Sequence, residues 1–133
     1  MKTVFSIIIV WFLIITPSKA DELQTLLKQI EKGFTQNNVQ LFSDYFGENC
    51  YLSLNDGTTG YYTSNQTYYI FEKYFSRYKI IEFKISDYSK GNVQTMIEAS
   101  IKYSAGGVIY NGQVLITVKN IKNNLVITQI FIS

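Results

Sequence analysis

The sequence predicts an α+β domain in which three N-terminal helices pack on one face of a curved antiparallel sheet. The first observation is a change of period at Tyr78: apolar residues recur every three or four positions in the helical segments before it and every second position after it. The second is the order of elements, since two helices, two strands and a third helix precede four long strands. The third is that Gly and Asn clusters separate those long strands, as turns of a meander do.

A leader precedes this domain. A basic start is followed by an apolar run over residues 4–15, and small residues stand at Ser18 and Ala20, three and one positions before a cleavage point. The run is too short to span a bilayer comfortably. The pattern predicts a signal peptide over residues 1–20 and one exported domain over residues 21–133, periplasmic or extracellular, with no stable membrane anchor after cleavage. An uncleaved anchor is the alternative.

Charge and residue usage exclude several classes of function. The sequence has 12 basic and 10 acidic residues, and loss of Lys2 and Lys19 with the leader makes the mature chain formally neutral. A neutral chain without a Lys/Arg run lacks the electrostatic footprint of nucleic-acid binding. Histidine is absent and Cys50 is the only cysteine, so neither a metal site, a cofactor nor an intramolecular disulfide is predicted. Cys50 is expected to be a buried strand residue.

Three helices are predicted from apolar spacing and caps. The first covers about residues 22–34, and the second is short, begins after a cap at Asn38 and ends at Gly47. The third begins after a cap at Ser64 and is the organising element of the domain, because it must bury a broad aromatic stripe. The stripe comprises Thr67, Ile70, Phe71, Tyr74, Phe75 and Tyr78.

The strands are predicted at residues 50–54 and 60–62 and then in four long segments after Tyr78. Alternation places Ile81 and Phe83 on the buried face of the first long strand, and Val93 begins the buried face of the next. Two turns are possible between the following strands, at residues 106–107 or 111–112. Asn-Gly at 111–112 is the stronger local signal, but Gly-Gly at 106–107 leaves two long, equal arms and is preferred. The last turn is expected at residues 123–124.

The element order and several motifs resemble the nuclear transport factor 2-like superfamily, the cystatin-like cone. The motifs are Ala99-x-Ile101-x-Tyr103, Gly107, Tyr110-Asn111-Gly112 and Leu115-x-Thr117-Val118-Lys119. The mature chain is also similar to a family of short exported bacterial proteins of unassigned function. That similarity rests on the Tyr-Thr-Ser-x-Gln start of the third helix, the later Tyr74-Phe75 pair and the Ile-x-Gln-Ile-x-Ile ending.

The resemblance implies a pocket between the helices and the concave face of the sheet. The residues expected to line it are Phe34, Tyr45, Tyr62, Tyr74, Tyr103 and Ile116. These are candidate ligand-binding residues, although each aromatic ring is equally compatible with plain core packing. The first functional hypothesis is therefore a non-catalytic module that binds a small apolar or aromatic ligand in this pocket.

Two alternatives remain open at the level of sequence. One is a homodimer or other interaction module with a filled core and apolar residues on the outer sheet face, for which Met96 and Leu115 are the hints. The other is an isomerase- or lyase-like enzyme that uses a buried carboxylate, from Asp44, Asp87 or Glu98. The absence of histidine rules out the His/Asp pairs that the superfamily's enzymes use, and no catalytic residue is assigned.

Overall fold

A six-stranded sheet is covered on one face by helices in the computed structural model, which describes residues 19–133. The elements are α1 (Lys19–Thr35), 3₁₀ turns at Val39–Leu41 and Ser43–Tyr45, β1 (Phe46–Ser53), β2 (Thr59–Tyr62), α2 (Ser64–Arg77), β3 (Lys79–Lys90), β4 (Gln94–Ala105), β5 (Val108–Ile121) and β6 (Asn124–Ile132). The strand order is β2-β1-β6-β5-β4-β3, with β1 and β6 parallel and all other neighbours antiparallel.

The predicted signal peptide lies outside the described residues, except for Lys19 and Ala20, which begin α1. None of the helices within residues 19–133 is long and apolar enough to cross a membrane.

The second predicted helix is wrong: the described residues contain two α-helices, and this segment forms two 3₁₀ turns instead. Asn38 does act as a cap, because its Oδ1 accepts a hydrogen bond from the Gln40 N–H at 3.1 Å. The helix does not propagate because Phe42, at φ −132°, leaves helical geometry. Its ring turns into the core and stacks on Phe34, with 5.3 Å between ring centroids. Burial of this ring outweighs the weak local propensity of a segment shorter than three helical turns.

The aromatic helix is confirmed as α2, with its cap one residue earlier than predicted. Thr63 Oγ1 accepts from the Gln66 N–H at 3.2 Å, and Gln66 Oε1 accepts from the Thr63 N–H at 3.1 Å. This reciprocal pair is a capping box, which satisfies two backbone donors that the helix leaves free. The predicted stripe is buried at Thr67, Phe71, Tyr74 and Phe75.

Phenylalanine rings fill the space between the helices and the sheet. Phe34 on α1 stacks on Phe83 of β3 at 4.5 Å between centroids and meets Phe75 edge-on at 5.3 Å. Phe71 and Phe75 of α2 lie 5.7 Å apart, and Phe42 approaches both rings. All five rings are buried. The packing therefore fixes α1, α2 and the sheet relative to one another through one aromatic cluster.

Two β-bulges in β3 shift the face on which its side chains lie. The extra residues are Ile81 and Ser86, where the register with β4 slips. Ile80 is buried and Ile81 is 50 % exposed, so the predicted burial of Ile81 is wrong, whereas that of Phe83 is confirmed. A bulge reverses the alternation locally and bends the strand. Val93 was also predicted to be buried; it is exposed because it lies in the turn before β4.

The β4–β5 turn lies at Gly106 and Gly107, which confirms the preferred alternative. Their φ values of 58° and 81° are those of a two-residue type I′ turn, which glycine adopts without steric cost. The Asn-Gly pair at 111–112 lies inside β5 instead. The β5–β6 turn uses Lys122 and Asn123, also at positive φ, and is thus one residue earlier than predicted.

Candidate functional site

The six predicted pocket residues lie in different surroundings. Phe34 and Ile116 are fully buried in the core. Tyr74 and Tyr103 belong to one hydrogen-bonded cluster near the β1–β2 turn. Tyr45 lines a surface cleft. Tyr62 is half-buried on β2, where its hydroxyl donates to the Thr59 carbonyl at 3.4 Å. A ligand-binding role for these residues stays a prediction.

Asn55 joins two of the predicted tyrosines. The Tyr74 hydroxyl donates to Asn55 Oδ1 at 2.8 Å, and Asn55 Nδ2 donates to the Tyr103 hydroxyl at 3.0 Å. Tyr78 stacks on Tyr74 at 4.8 Å and meets Tyr103 edge-on at 5.7 Å. Burial raises the pKa of Tyr74 well above its ordinary value, and the neighbouring Tyr103 adds to the effect. The hydrogen bond to Asn55 and the raised pKa both indicate that the Tyr74 hydroxyl is neutral and structural. Sequence reasoning assigned Asn55 only to a turn.

The candidate catalytic carboxylates Asp44, Asp87 and Glu98 are all exposed. A carboxylate enzyme of the predicted kind needs one of them inside a pocket. Asp87 and Glu98 are cross-strand partners on the exposed portion of β3 and β4. No group of three or more potential metal-binding side chains occurs within residues 19–133. The geometry thus gives none of the three carboxylates an environment that suits acid–base catalysis.

Cys50 is buried on β1, as predicted. Burial raises the pKa of its thiol to about 12. Because the thiolate is the reactive form of cysteine, this thiol is inert near neutral pH. It is a packing residue of the core.

A cleft of about 570 Å³ opens between the start of α1, the second 3₁₀ turn and the start of β6. Phe46 is buried at its base, and Tyr45 is half-buried beside it. Glu22 and Asp44 place carboxylates at the edge. The lining is completed by Thr25, Asn124, Leu125 and Val126. The cleft therefore combines an apolar floor with a polar rim, which is the usual composition of a small-molecule site.

A strip of uncharged side chains, bordered by Glu98 and Lys119, crosses the sheet face that lies opposite the helices. We call it the outer strip; its members are Tyr51, Tyr61, Met96, Leu115, Thr117, Gln129 and Phe131. Tyr51 contacts Tyr61 and Phe131, with 5.0 Å and 5.7 Å between ring centroids. Shallow grooves of about 360 Å³ and 220 Å³ follow the strip. Sequence reasoning found Met96 and Leu115 and missed the three aromatic rings. Of these, Tyr51 could have been found from its alternation with the buried residues Cys50 and Leu52 on β1.

Comparison with known protein families assigns the chain to one of them. Residues 27–133 match a family described as a domain of unknown function, DUF4783. The chain belongs to the DUF4783 family. None of the curated proteins matches the sequence. The comparison therefore assigns this DUF4783 protein to a family but gives it no activity.

Solved structures show the same fold. A DUF4783 family protein from Bacteroides uniformis is 19 % identical, with a TM-score of 0.71 over 80 % of this chain and 94 % of that chain. A DUF4783 family protein from Bacteroides ovatus is 18 % identical, with a TM-score of 0.68 over 78 % and 90 %. An NTF-2 like protein of unknown function from Shewanella oneidensis is 18 % identical, with a TM-score of 0.63 over 87 % and 99 %. These likenesses confirm the nuclear transport factor 2-like fold and carry no function.

Proposed function

We propose that this DUF4783 protein is an exported, non-catalytic interaction module that forms a homodimer through the outer strip. The observation that carries the proposal is the strip itself, which groups aromatic and aliphatic side chains on the sheet face opposite the helices, with the charged residues Glu98 and Lys119 at its borders. Interface centres are depleted in charge and enriched in tyrosine, phenylalanine and methionine. Export is supported by the leader pattern of residues 1–20.

The packed interior favours this function over the predicted ligand pocket in the cone. The rings of Phe34, Phe42 and Phe75 lie within ring-contact distance of one another, in the space between the helices and the sheet. A ligand in that space would have to displace buried aromatic rings. Displacing well-packed side chains is costly, because protein interiors have the density of organic crystals. A filled interior together with an apolar outer face therefore favours an interaction module.

The outer face has the size that a dimer needs. Its six strands, spaced by about 4.8 Å, give a width of about 25 Å. The shortest of the four long strands has nine residues, which gives a length of about 30 Å. The whole outer face, with the strip and its charged borders, thus has about 750 Å², close to the 800 Å² or so that each partner buries in a typical stable complex. A two-fold axis lets the same strip serve both copies.

A charge in the strip tests the proposal. Leu115 lies opposite Glu98 on β4, so Leu115→Lys puts a cation beside a carboxylate and does not penalise the folded monomer. In a dimer, the new cation and Glu98 would be buried together at the interface, and removing both charges from water costs more than burying leucine there, so the variant opposes dimerisation. We expect light scattering after size exclusion to show a dimer for the mature protein and a monomer for Leu115→Lys. The matched control, Ile81→Lys, changes an exposed residue outside the strip and should remain dimeric. A dimeric Leu115→Lys variant would contradict the proposal.

The cleft beside Tyr45 supports a second candidate function, the binding of a small apolar or aromatic molecule. Its support is the volume of about 570 Å³ over the buried Phe46 ring. Native mass spectrometry of protein purified from the periplasm tests it. A bound mass that is lost in Tyr45→Ala would establish this site, and the same spectrum tests export through an N-terminus at Asp21. A bare chain would count against it.

A further inference from the structure

Three consecutive apolar residues are exposed at the tip of the β4–β5 hairpin. Val108, Ile109 and Tyr110 are 51 %, 61 % and 45 % exposed, directly after the Gly106-Gly107 turn. Val108 and Tyr110 lie on one face of β5 and Ile109 on the other, so that apolar side chains cover both sides of the tip. Scattered apolar side chains are normal on a surface, but a tip that is apolar on both sides indicates an interaction site. Neither the core nor the outer strip uses these three residues.

We propose that this tip inserts into the headgroup region of an anionic lipid bilayer and holds the domain reversibly at a membrane surface. The interaction is peripheral and involves no spanning segment. It is independent of the dimer proposed above, since Ile109 and its neighbours lie outside the outer strip.

The chemistry of the turn suits insertion. Its two residues are glycines, so the apex carries no polar side chain that would have to be dehydrated. Ala105 and Val108 are register partners that close the turn. Paired backbone groups cost much less to bring into an apolar environment than unpaired ones.

Tyrosine rings lie directly behind the apolar tip. Tyr110 stacks on Tyr103 at 5.5 Å between centroids, and Tyr103 contacts Tyr78 at the end of α2. Tyrosine is enriched where proteins meet the lipid headgroups, because its ring is apolar and its hydroxyl prefers water. An apolar tip followed by a tyrosine layer therefore matches the depth profile of a bilayer interface.

Cations flank the tip on the side of β3. Lys79, Ser104 and Ile109 are successive register partners, which places Lys79 about 10 Å from Ile109 on the same face. Arg77 lies over the Tyr78 ring at 5.5 Å. These cations are available to lipid phosphates and attract an anionic surface.

Other charged groups near this end of the sheet form their own contacts. Lys102 is 3.9 Å from Glu82 across β3 and β4. Asp56, in the β1–β2 turn, accepts a hydrogen bond from the Thr58 N–H at 2.9 Å. The favourable electrostatic contribution to binding thus comes from Arg77 and Lys79, and the carboxylate of Asp56 opposes it.

The opposite end of the sheet supplies a matched control. Val93 is 66 % exposed there, in a turn whose neighbour is Asn92, and the adjacent β5–β6 turn carries Lys122 and Asn123. Polar side chains at both apices oppose insertion. Val93→Ser therefore removes a comparable exposed side chain from an end that should face away from lipid.

Vesicle flotation with the mature protein tests the proposal. We expect binding to vesicles of phosphatidylethanolamine and phosphatidylglycerol, weaker binding to phosphatidylcholine, and a decrease with added salt. Ile109→Ser should lower the partition coefficient by about tenfold, and Val93→Ser should leave it unchanged. Lys79→Gln should lower it by about fivefold on the anionic vesicles and leave it unchanged on phosphatidylcholine. Because both apolar sites are exposed, both serine variants should unfold at the temperature of the parent protein.

Three results would contradict the proposed insertion of the tip into a bilayer. Absence of flotation with either lipid mixture would overturn the proposal, as would a larger effect of Val93→Ser than of Ile109→Ser. If Ile109→Ser changed the oligomeric mass and left vesicle binding intact, the tip would be a protein contact, and the proposal would again be wrong.

Discussion

Replacement of Asn55 by leucine should destabilise the protein by about 2 kcal/mol. Asn55 is the acceptor for the Tyr74 hydroxyl, at 2.8 Å, and Tyr74 is only 2 % exposed. A buried hydroxyl that loses its partner costs about 1–3 kcal/mol. The Tyr103 hydroxyl also loses its donor, but it lies closer to solvent and can bind water. Leucine has the branched shape of asparagine and is somewhat larger, so the change removes the hydrogen bonds without leaving a cavity.

A double-mutant cycle with Tyr74→Phe separates this explanation from a general disruption of the turn. Tyr74→Phe alone should cost about 1 kcal/mol. The double variant should be more stable than the sum of the two single effects predicts, by about 1–2 kcal/mol, because no hydroxyl is left without a partner. Urea unfolding at one fixed protein concentration measures all four species. Tyr62→Phe, which removes an exposed hydrogen bond of 3.4 Å, is the control and should change stability by less than about 0.5 kcal/mol. Additive single effects would refute the reasoning.

Two further outcomes follow from the core. Gly33→Ala should lower the free energy of unfolding by about 1–3 kcal/mol, because a Cβ at this position would overlap the Phe42 ring, even though alanine favours helices. Thermal unfolding should show partial recovery of stability in the double variant with Phe42→Leu. A single variant more stable than the parent protein would contradict the packing. Since burial raises the pKa of Cys50 from 9.0 to about 12, the folded protein retains a thiol proton that the unfolded chain loses. Stability should thus be full below pH 9 and fall by about 4 kcal/mol on the way to pH 12, and urea titrations at several pH values should show a shallower fall for Cys50→Ala.

The sequence was informative where local pattern and tertiary packing agree. The stripe of α2 was predictable because Phe71 and Phe75 follow helical spacing and the same face meets the sheet. The second helix was not, since the burial of Phe42 is decided by its packing against Phe71 and Phe75, which are about 30 positions away in the chain. The exposure of Ile81 was not predictable either, because its bulge carries no local sequence signal such as glycine.

The candidate surfaces were predictable only in part. The resemblance directed attention to the inside of the cone, and the apolar residues there proved to be packed against one another. Asn55 was missed because its partners, Tyr74 and Tyr103, are 19 and 48 positions away. Tyr51, Tyr61 and Phe131 were missed because they lie on three different strands, and only the strand pairing brings their rings together. The partners of a residue across a sheet depend on the register of both strands, which the pattern of one strand alone does not give.

Sedimentation equilibrium of the unmodified mature protein tests the central claim, that its outer sheet face binds a second copy. The account predicts a mass that moves from one chain to two as the protein concentration rises, and that stays at two chains at the highest concentrations. A mass of one chain at every concentration would contradict it.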